Sequence, residues 1–427
     1  MDEMEEYEKI GEEPKSDKKF FKGVLTGVIG TVLAGVVGIF IVTNVMGGHL
    51  VIGETESRDV GQNTILSEEV QKKIAELMGY IRLYFYDEID DEKLENGLYA
   101  GLLEGLDDKY TQYYTPVEYQ DMQISATQNY YGIGAGLSQD KESMQVTITH
   151  VYEGSPAEAA GLQNGDVIVM VEEDIEAVSM ELSDLVTHIR GEEGTSVHLQ
   201  IYRAGEPEYL EFDVQRANID LPTVEHRMLN DKIGYIHILE FGEPTLAQFE
   251  SAAQELFGQG MQGLLLDVRD NPGGMLSSVT AILDDLLPEG TVVYTQDKYG
   301  ERKDYTSGAD QTITCPIAVL INGNSASASE ILAGAIRDYK AGSLIGTKTY
   351  GKGVVQSIIQ LEDGDAIKLT TAKYFTPNGE NIHGTGISPD VELKYEYLGE
   401  RADGYDELMD NQVQKGIEIL EKEISAT

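Results

Sequence analysis

A run of 23 residues without a charge, at 24–46, constrains this chain more than any other feature. It is long enough to cross about 30 Å of hydrocarbon as a helix. Four lysines lie between residues 15 and 22, whereas Arg58 is the one basic residue within a comparable distance after the run. The positive-inside rule therefore predicts a cytoplasmic tail at 1–23 and a single-pass anchor at 24–46. The rest of the chain is expected outside the cytoplasmic membrane.

A cleaved secretory signal is the alternative for this segment. Signal peptides have a shorter apolar region that ends at a small-residue cleavage site, and the best such site, near Met46 and Gly47, is weak. We therefore expect an uncleaved anchor, followed by a polar tether at 47–66. Small residues recur every four positions from Gly23 to Gly35. They either pack two anchors together or reflect how common small residues are in membrane helices.

The charge balance excludes one class of partner. The formal net charge is -44, from 75 acidic and 31 basic residues, and no basic stripe interrupts it. Such a chain repels nucleic-acid phosphates, so no nucleic-acid partner is expected. The single cysteine, Cys315, cannot form an internal disulfide and lies in an apolar run. We interpret it as a small buried side chain rather than a nucleophile.

Helical patterns flank the middle of the chain. From Val70 to Tyr84 apolar residues repeat at alternating steps of four and three, which predicts a helix with an apolar stripe. With further helical patterns it forms an N-terminal helical segment at 67–121. The last segment, 401–427, has an apolar face from Tyr405 to Ile424 and predicts an amphipathic helix. A homodimer through these two stripes is a hypothesis.

Short alternating strands at 122–216 predict a compact β-rich domain. It begins with YYGIGAGL at 130–137, a glycine-rich turn of the kind that can cradle a carboxylate. A dinucleotide site is excluded because no βαβ unit flanks the turn. The segment SPAEAAGLQNGDVIV at 155–169 resembles the PDZ family, although 171–178 lacks the glycine that this family usually has in the turn. The resemblance implies that free C-terminal tails of substrates bind at Gly132, Ile133, Gly134, Ala135, Gly136 and Leu137.

Beyond residue 216 apolar strands alternate with helices, which is typical of an α/β fold. The runs GLLLDVRDN at 263–271 and CPIAVLIN at 315–322 show no polar alternation. Strands of this kind are covered by helices on both faces. We therefore expect an α/β core at 217–400.

Three serines stand where one of these strands gives way to a helix, in INGNSASASE at 321–330. One of them could be a nucleophile at the mouth of a site. The competing interpretation is structural, because Ser327 and Glu330 have the spacing of a capping box. These ten residues alone leave both interpretations open.

A serine hydroxyl becomes a nucleophile only when a base removes its proton. None of the seven histidines lies in a recognisable triad segment, and no two have metal-ligand spacing, so no metal or cofactor is predicted. A buried lysine is the alternative base, because burial disfavours the charged ammonium. Lys352 stands between two glycines in TYGKGVVQ at 349–356 and is the candidate. An ordinary loop lysine is the competing interpretation.

The segment LLLDVRDNPGG at 264–274 offers a third element. An apolar strand ends there at a Pro-Gly-Gly turn before a helix, which directs the N–H groups of Gly273 and Gly274 toward the helix N-terminus. Together with the N–H of Ala328, at another helix start, they are candidates for holding an oxyanion. The competing interpretation is an ordinary strand-to-helix turn.

Together these segments resemble the C-terminal processing peptidases, also called tail-specific proteases. The resemblance covers nearly all of residues 67–400 and includes DVRDNPGG, SASASE, GKGVVQ and TPNGENIHGTGISPD, with a PDZ domain inserted before them. It implies a serine-lysine dyad, with Ser327 as nucleophile, Lys352 as base and Gln356 orienting the lysine. The implied fold class is an α/β crotonase-like protease core with the PDZ domain as a movable gate.

The sequence thus predicts a membrane-anchored serine endopeptidase that cleaves extracytoplasmic polypeptides with free apolar C-termini. Two rivals are a catalytically silent PDZ scaffold and a crotonase-type enzyme acting on acyl-coenzyme A. Serine, lysine and glutamine at matching positions disfavour the first, and the PDZ domain has no obvious use in the second. In an extended segment the Cα atoms of Lys352 and Gln356 would be about 13 Å apart. We therefore expect a bend around Gly353 or side chains folded toward each other.

Overall fold

The computed structural model describes residues 66–308, 311–400 and 405–426. The predicted tail and anchor, and nearly all of the tether, lie outside these residues. The chain divides into two units, Met1–Tyr80 and Ile81–Thr427, and the first is described only from residue 66 onward. Within the described ranges, no helix combines the length and the apolar character needed to cross a membrane.

The N-terminal segment is helical, as predicted. Its elements are α1 (Glu68–Tyr84), α2 (Asp91–Glu104), the short strand β1 (Gln112–Tyr114) and α3 (Pro116–Thr127). Helix α3 starts at a capping box formed by Thr115 and Glu118 and has proline in its first turn. It ends beyond the boundary that the sequence predicts at residue 121. Neither α1 nor α2 contains a fully buried residue.

A β-rich domain follows, built around one antiparallel sheet in the order β3-β4-β5-β7-β8. The sheet encloses an apolar core that includes Ile148, Ile168 and Leu199. Strands β2 and β9 pair with each other and bring the two ends of the domain together. The elements in chain order are β2 (Asn129–Gly132), β3 (Ala135–Gln139), β4 (Val146–Val151), α4 (Pro156–Ala160), β5 (Val167–Val171), β6 (Ile175–Glu176), α5 (Leu182–Ile189), β7 (Ser196–Tyr202), β8 (Leu210–Gln215) and β9 (Ala217–Asp220).

The turn at 171–178, which lacks the expected glycine, still adopts a left-handed backbone. Within this turn, Glu172 has φ 54°. A side chain in this conformation costs about 1–2 kcal/mol relative to the right-handed region. The turn therefore holds a glutamate in a conformation that non-glycine residues rarely adopt.

The remaining elements form an α/β core with two sheets. One sheet has the order β10-β11-β12-β15-β16-β19, and the other has the order β1-β18-β13-β14 with β17 paired to β18. In chain order the elements are β10 (Val224–Met228), β11 (Ile233–Ile238), α6 (Thr245–Gly258), β12 (Gly263–Asp267), α7 (Leu276–Leu286), β13 (Gly290–Asp297), β14 (Arg302–Ser307), β15 (Ile317–Ile321), α8 (Ala328–Tyr339), β16 (Gly342–Gly346), β17 (Val354–Gln360), β18 (Ala366–Phe375) and β19 (Val391–Glu392).

The central strands β12 and β15 are parallel and every residue in them is buried, as their unbroken apolar runs predict. One face, with Leu264 and Val319, packs against the cluster that contains residues of α6, α7 and α8. The opposite face, with Leu265 and Leu320, packs against the C-terminal helix. The carboxyl ends of both strands lead into the segments that contain the candidate site residues.

The C-terminal helix α9 (Asn411–Ala426) begins later than residue 401, where the sequence predicts it. Asp410 explains the start, because its carboxylate accepts hydrogen bonds from the N–H groups of Gln412 and Val413 at 2.7 and 3.2 Å. The predicted apolar face divides accordingly: Val413 and Leu420 are buried, whereas Tyr405 precedes the helix and is exposed.

Candidate active site

Ser327 immediately precedes α8, at the end of the turn that follows β15. Its backbone has φ 54° and ψ -112°, a conformation that non-glycine residues rarely adopt. Its N–H donates to the Glu330 carboxylate at 2.9 Å, while the Glu330 N–H donates to the Ser327 carbonyl at 2.9 Å. The glutamate half of the predicted capping box is therefore present. Strained backbone of this kind persists only where its surroundings hold it, and it is concentrated at functional sites.

The other two serines have structural partners. The Ser325 hydroxyl donates to the Val268 carbonyl at 2.7 Å, and the Ser329 hydroxyl donates to the Asn271 carbonyl at 3.0 Å. Both serines are fully buried. Ser325 attaches the turn before α8, and Ser329 attaches the first turn of α8, to the segment after β12. We therefore assign both serines a structural role, in contrast to Ser327.

Asn271 organises the segment after β12. Its side-chain amide donates to the Ile238 carbonyl at 2.8 Å, and its Oδ1 accepts the Gly273 N–H at 2.8 Å. Gly273 itself is pressed against the serine turn, since a Cβ on it would lie 2.7 Å from the Ser327 Cβ and 3.0 Å from the Ala328 nitrogen. The Asn271 side chain thus shapes the turn in which both glycines lie.

This arrangement separates the three predicted oxyanion donors. The Gly273 N–H is already engaged by Asn271. Among hydrogen bonds between described residues, none uses the N–H of Gly274 or that of Ala328. The first turn of a helix leaves such N–H groups without intrahelical partners. Ala328 and Gly274 are therefore better placed to receive an oxyanion than Gly273.

Lys352 lies in the loop between β16 and β17 and is half-buried. Its Nζ stands 5.1 Å from the centre of the Tyr110 ring. Burial, together with the nearby positive charge of Lys368, lowers the pKa of Lys352 from its ordinary value, although Tyr350 and Glu330 act in the opposite direction. The lowered pKa increases the fraction of neutral amine, which is the form that can accept a proton.

Two side chains connect the Ser327 and Lys352 backbones. One oxygen of the Glu330 carboxylate accepts both the Ser327 N–H, at 2.9 Å, and the Lys352 N–H, at 2.8 Å. On the carbonyl side, the Tyr374 hydroxyl lies 3.1 Å from the Ser327 carbonyl oxygen and makes a short contact with that of Lys352. The structure thereby brings the predicted nucleophile and base segments together.

The sequence does not predict that Glu330 and Tyr374 connect the backbones of the two dyad candidates. Glu330 appeared only as a capping partner, because its contacts with the lysine loop join segments about twenty residues apart. Tyr374 lies in β18 and has no spacing relation to either dyad residue. The Ser327–Glu330 capping spacing was the only available signal.

Among the hydrogen bonds between described residues, none joins the Gln356 side chain to Lys352. Its amide donates instead to the Thr370 hydroxyl at 3.4 Å, across the pairing of β17 with β18. Strand β17 begins at Val354, so Lys352 precedes the extended segment, and the β17–β18 register shifts between Val355 and Gln356. The predicted orientation of Lys352 by Gln356 stays a prediction.

Two further observations concern metal ligands and the cysteine. Within the described ranges, no group of three or more His, Cys, Asp or Glu residues could hold a metal ion. Burial raises the pKa of the Cys315 thiol to about 11, so it is protonated at neutral pH. Cys315 is half-buried and packs against the main apolar cluster, whereas the sequence predicts a buried side chain.

The glycine-rich segment lies at the start of the β-rich domain, divided between β2 and β3. Ile133 is buried, and its carbonyl accepts the Ala157 N–H at 2.8 Å. Gly134 has φ 76°, and a Cβ there would stand 2.4 Å from the Ser155 Cβ. In the described part of the sheet, β3 pairs on one side only, with β4, so its other edge is open.

Comparisons with known proteins give this site its context. The model of peptidase family S41 matches residues 232–393, and a PDZ-domain model matches residues 147–203. The chain is 36% identical over 293 residues to a carboxyl-terminal-processing protease of Synechocystis sp., which covers 68% of this chain and 68% of that protein. It is 35% identical over 331 residues to the carboxy-terminal processing protease CtpB of Bacillus subtilis, covering 77% of this chain and 68% of CtpB.

Among solved structures, the chain is similar to a photosystem II D1 C-terminal processing protease. The sequence identity is 29%, the TM-score is 0.45, and the match covers 78% of this chain and 89% of that one. On the sequence relationships, the chain belongs to the carboxyl-terminal processing proteases of peptidase family S41 and contains a PDZ domain. It is a serine-type endopeptidase.

Proposed function

We propose that this endopeptidase cuts polypeptides through a dyad of Ser327 and Lys352. The observation that carries the proposal is the shared Glu330 oxygen, which accepts the N–H groups of both residues. The lowered pKa of Lys352 supports it, because a base must be neutral at the working pH. The α/β core described above is, on this proposal, a crotonase-like protease core.

The reaction then proceeds through an acyl-enzyme. Neutral Lys352 takes the proton of the Ser327 hydroxyl as its oxygen attacks the peptide carbonyl carbon. The N–H groups of Ala328 and Gly274 stabilise the oxyanion, and each such donor is worth about 3 kcal/mol. Lys352 gives the proton to the departing amine, and the peptide C–N bond breaks. A water molecule then attacks the ester, with Lys352 accepting and returning its proton, and the acid is released from Ser327.

A serine-directed covalent probe with site mapping tests the nucleophile. We expect the probe to label Ser327 in the full chain, purified in detergent. Ser327→Ala should abolish both labelling and cleavage of an unstructured peptide with an apolar C-terminus. Ser357→Ala, which removes a β17 hydroxyl that bonds the Thr371 hydroxyl at 2.6 Å, is the matched control and should retain both the cleavage and the labelling of Ser327. Unchanged turnover by Ser327→Ala would exclude Ser327 as the nucleophile.

Substrate tails are proposed to bind at the open edge of β3. An extended peptide can add a strand to such an edge and bring its terminal carboxylate to a glycine-rich turn. The segment Gly132–Leu137 supplies that turn and the first residues of the strand. Ala135 and Leu137 are partly buried against the domain core beside this edge, which suits a tail with apolar side chains.

Membrane anchoring by residues 24–46 is a further part of the proposal, with catalysis outside the cytoplasmic membrane. Its support is the uncharged run and the lysines that precede it. Intact cells, spheroplasts and lysed spheroplasts treated with an external protease test it. We expect the catalytic region to be digested in spheroplasts. Protection of that region until lysis would contradict the proposed orientation.

We also propose a homodimer through the N-terminal helical segment. Leu98, Leu102 and Leu106 are each more than half exposed on or next to α2. The C-terminal stripe does not offer a similar surface, because Val413 and Leu420 already pack against the sheet of their own chain. Light scattering should give a protein mass of twice 46.9 kDa. Leu102→Glu should halve it, and a monomeric mass for the unaltered chain would refute the dimer.

A further inference from the structure

Glu330 makes more hydrogen bonds than a helix cap requires. One oxygen accepts the N–H groups of Ser327 and Lys352, and the other accepts the Thr349 hydroxyl at 2.6 Å and the Gly351 N–H at 2.7 Å. In a capping box, the glutamate side chain needs only the bond to the serine N–H. The other three bonds hold the loop that contains the lysine.

The surroundings of Glu330 fit a carboxylate. The residue is fully buried, and all four of its hydrogen-bond partners are donors. An ionised carboxylate accepts at both oxygens, whereas a protonated one would direct an O–H against donors. A buried charge without such partners would be strongly destabilising. The carboxylate and the two segments that it joins therefore depend on each other.

Tyr374 contacts the carbonyl groups of the same two residues whose N–H groups Glu330 binds. Glu330 binds the N–H groups of Ser327 and Lys352, and the Tyr374 hydroxyl lies against their carbonyl oxygens. Tyr374 is buried in β18. Because Ser327 has a strained backbone, φ 54° and ψ -112°, its conformation requires restraint of this kind.

We propose that Glu330 and Tyr374 are positioning residues for the dyad, holding the Ser327 and Lys352 backbones at the separation that proton transfer requires. The inference rests on the proposed function, since it assigns these side chains a role only if Ser327 and Lys352 react with each other. Neither residue is proposed to touch the substrate. They act through the main chain of the two reacting residues.

Glu330 also contributes a negative charge near Lys352. Its effect on the pKa of Lys352 can therefore be measured separately from its hydrogen bonds. The groups that influence Lys352 are Lys368 on β18, Lys109 after α2, Tyr350 in its own loop and Glu330 on α8, with the Tyr110 ring beside its Nζ. Lys368 and Lys109 lower the pKa of Lys352, while Glu330 and Tyr350 raise it. Removing the Glu330 charge should lower that pKa further.

The first test uses hydroxyl removal in the full chain in detergent. Tyr374→Phe deletes only the oxygen that faces the two carbonyls. The matched control is Tyr339→Phe, which deletes a hydroxyl that donates to the Thr291 carbonyl at 3.2 Å, away from the dyad. We expect Tyr374→Phe to lower kcat by about 10-fold to 100-fold with little change in KM, because small displacements of reacting groups have effects of that size. Tyr339→Phe should keep the kcat of the unaltered chain.

The second test uses the pH profile of kcat. Glu330→Gln keeps the shape but loses the charge, so kcat should fall and its acidic limb should move to lower pH. Glu330→Asp keeps the charge but shortens the reach, so kcat should fall and the limb should stay in place. A limb that stays in place in Glu330→Gln would show that the Glu330 charge does not act on the titrating base. If Glu330→Gln does not fold, Tyr374→Phe decides the question.

The possible outcomes separate this inference from the proposed function. Tyr374→Phe with the kcat of the unaltered chain, or an equal loss in Tyr339→Phe, would overturn the positioning role while Ser327 remained essential. Activity of Ser327→Ala would instead remove the proposed function and with it the dyad that is being positioned. A lowered kcat confined to Tyr374→Phe and the Glu330 variants supports the inference.

Discussion

The α/β core and the PDZ domain differ in whether the backbone hydrogen-bonding groups near their proposed sites have partners. Around Ser327 and Lys352, the groups that fix the chain are bonded from several directions, by Glu330, Tyr374 and Asn271. At β3 in the PDZ domain, one whole edge of the strand has no partner among the described residues. The first region is held in one conformation, whereas the second has an open edge, where the proposed function places a substrate tail.

This difference predicts which kinetic constant a mutation in each region should change. Changes in the core site should alter kcat, because they affect reacting groups whose positions are set in advance. Changes at the PDZ edge should alter KM, because they affect binding that is remote from the chemistry. The comparison fails if the two regions give the same kinetic signature.

The largest expected effect comes from replacing the base. Arginine keeps the charge and length of Lys352 but does not deprotonate in proteins. Lys352→Arg should therefore lower kcat/KM by about 10³-fold or more, the range of general-base contributions. Lys348→Arg, in the same loop but exposed, is the control and should behave as the unaltered chain. A Lys352→Arg variant with a tenth or more of normal activity would argue against a lysine base.

A buried network behind the core site should show the next largest effect, measured as stability. Arg269 binds Asp267 and, at 2.7 Å, Asp410 at the start of α9. Asp410→Ala should lower the free energy of unfolding by about 3 kcal/mol, the lower end for a broken buried pair, since Asp267 still neutralises the arginine. Urea denaturation of the full chain measures this loss.

The exposed pair of Arg302 and Asp304 provides the matched comparison for that network. Asp304→Ala removes a carboxylate from an arginine whose side chain is 48% exposed, so its loss of stability should be much smaller than that of Asp410→Ala. Equal losses in Asp304→Ala and Asp410→Ala would show that the buried network does not stabilise the core.

A variant in the PDZ domain should have an effect of intermediate size, a change in KM. Gly134→Ala places a methyl 2.4 Å from the Ser155 Cβ and should distort the turn before β3. We expect KM to rise about 10-fold, equivalent to 1.4 kcal/mol of binding, with kcat nearly unchanged. Gly165→Ala shares the positive φ but meets no atom within 4 Å, so it controls for backbone strain alone. A fall in kcat without a change in KM would contradict a tail-binding role.

The smallest effect is a shift in pH dependence. On the proposed mechanism the active form of Lys352 is neutral, so kcat should rise with pH through its lowered pKa. Lys368→Met removes a positive neighbour, which should raise the pKa of Lys352 and move the acidic limb to higher pH. Lys373→Met, on the same strand, should leave the limb in place. A limb that stays fixed in Lys368→Met would show that Lys352 is not the titrating base.

Much of the framework was predictable from sequence because it depends on local patterns. The unbroken apolar runs predicted that β12 and β15 are buried on both faces, and the structure confirms this. The segment at 155–169 predicted a PDZ domain, which the family comparison confirms. The sequence predicted the C-terminal helix but placed its start too early. Asp410 caps α9, so the helix begins at Asn411.

The site was less predictable because its hydrogen bonds join distant segments. Nothing in the pattern shows that Tyr374 faces the carbonyls of Ser327 and Lys352. Nor did the Pro-Gly-Gly turn reveal that the Asn271 side chain occupies the Gly273 N–H. Sequence pattern specifies which segments carry chemistry, whereas the satisfaction of individual N–H groups is decided by side chains from other elements.

The open edge of β3 has a consequence for handling the protein in solution. An unpaired strand edge accepts any extended chain, including the same edge of another copy, and so favours edge-to-edge aggregation. The net charge of -44 at neutral pH keeps copies apart by mutual repulsion. That repulsion vanishes near the isoelectric point of about 4.3. Colloidal stability should therefore fall as the pH approaches this value, where the open edge proposed to bind a substrate tail becomes a route to self-association.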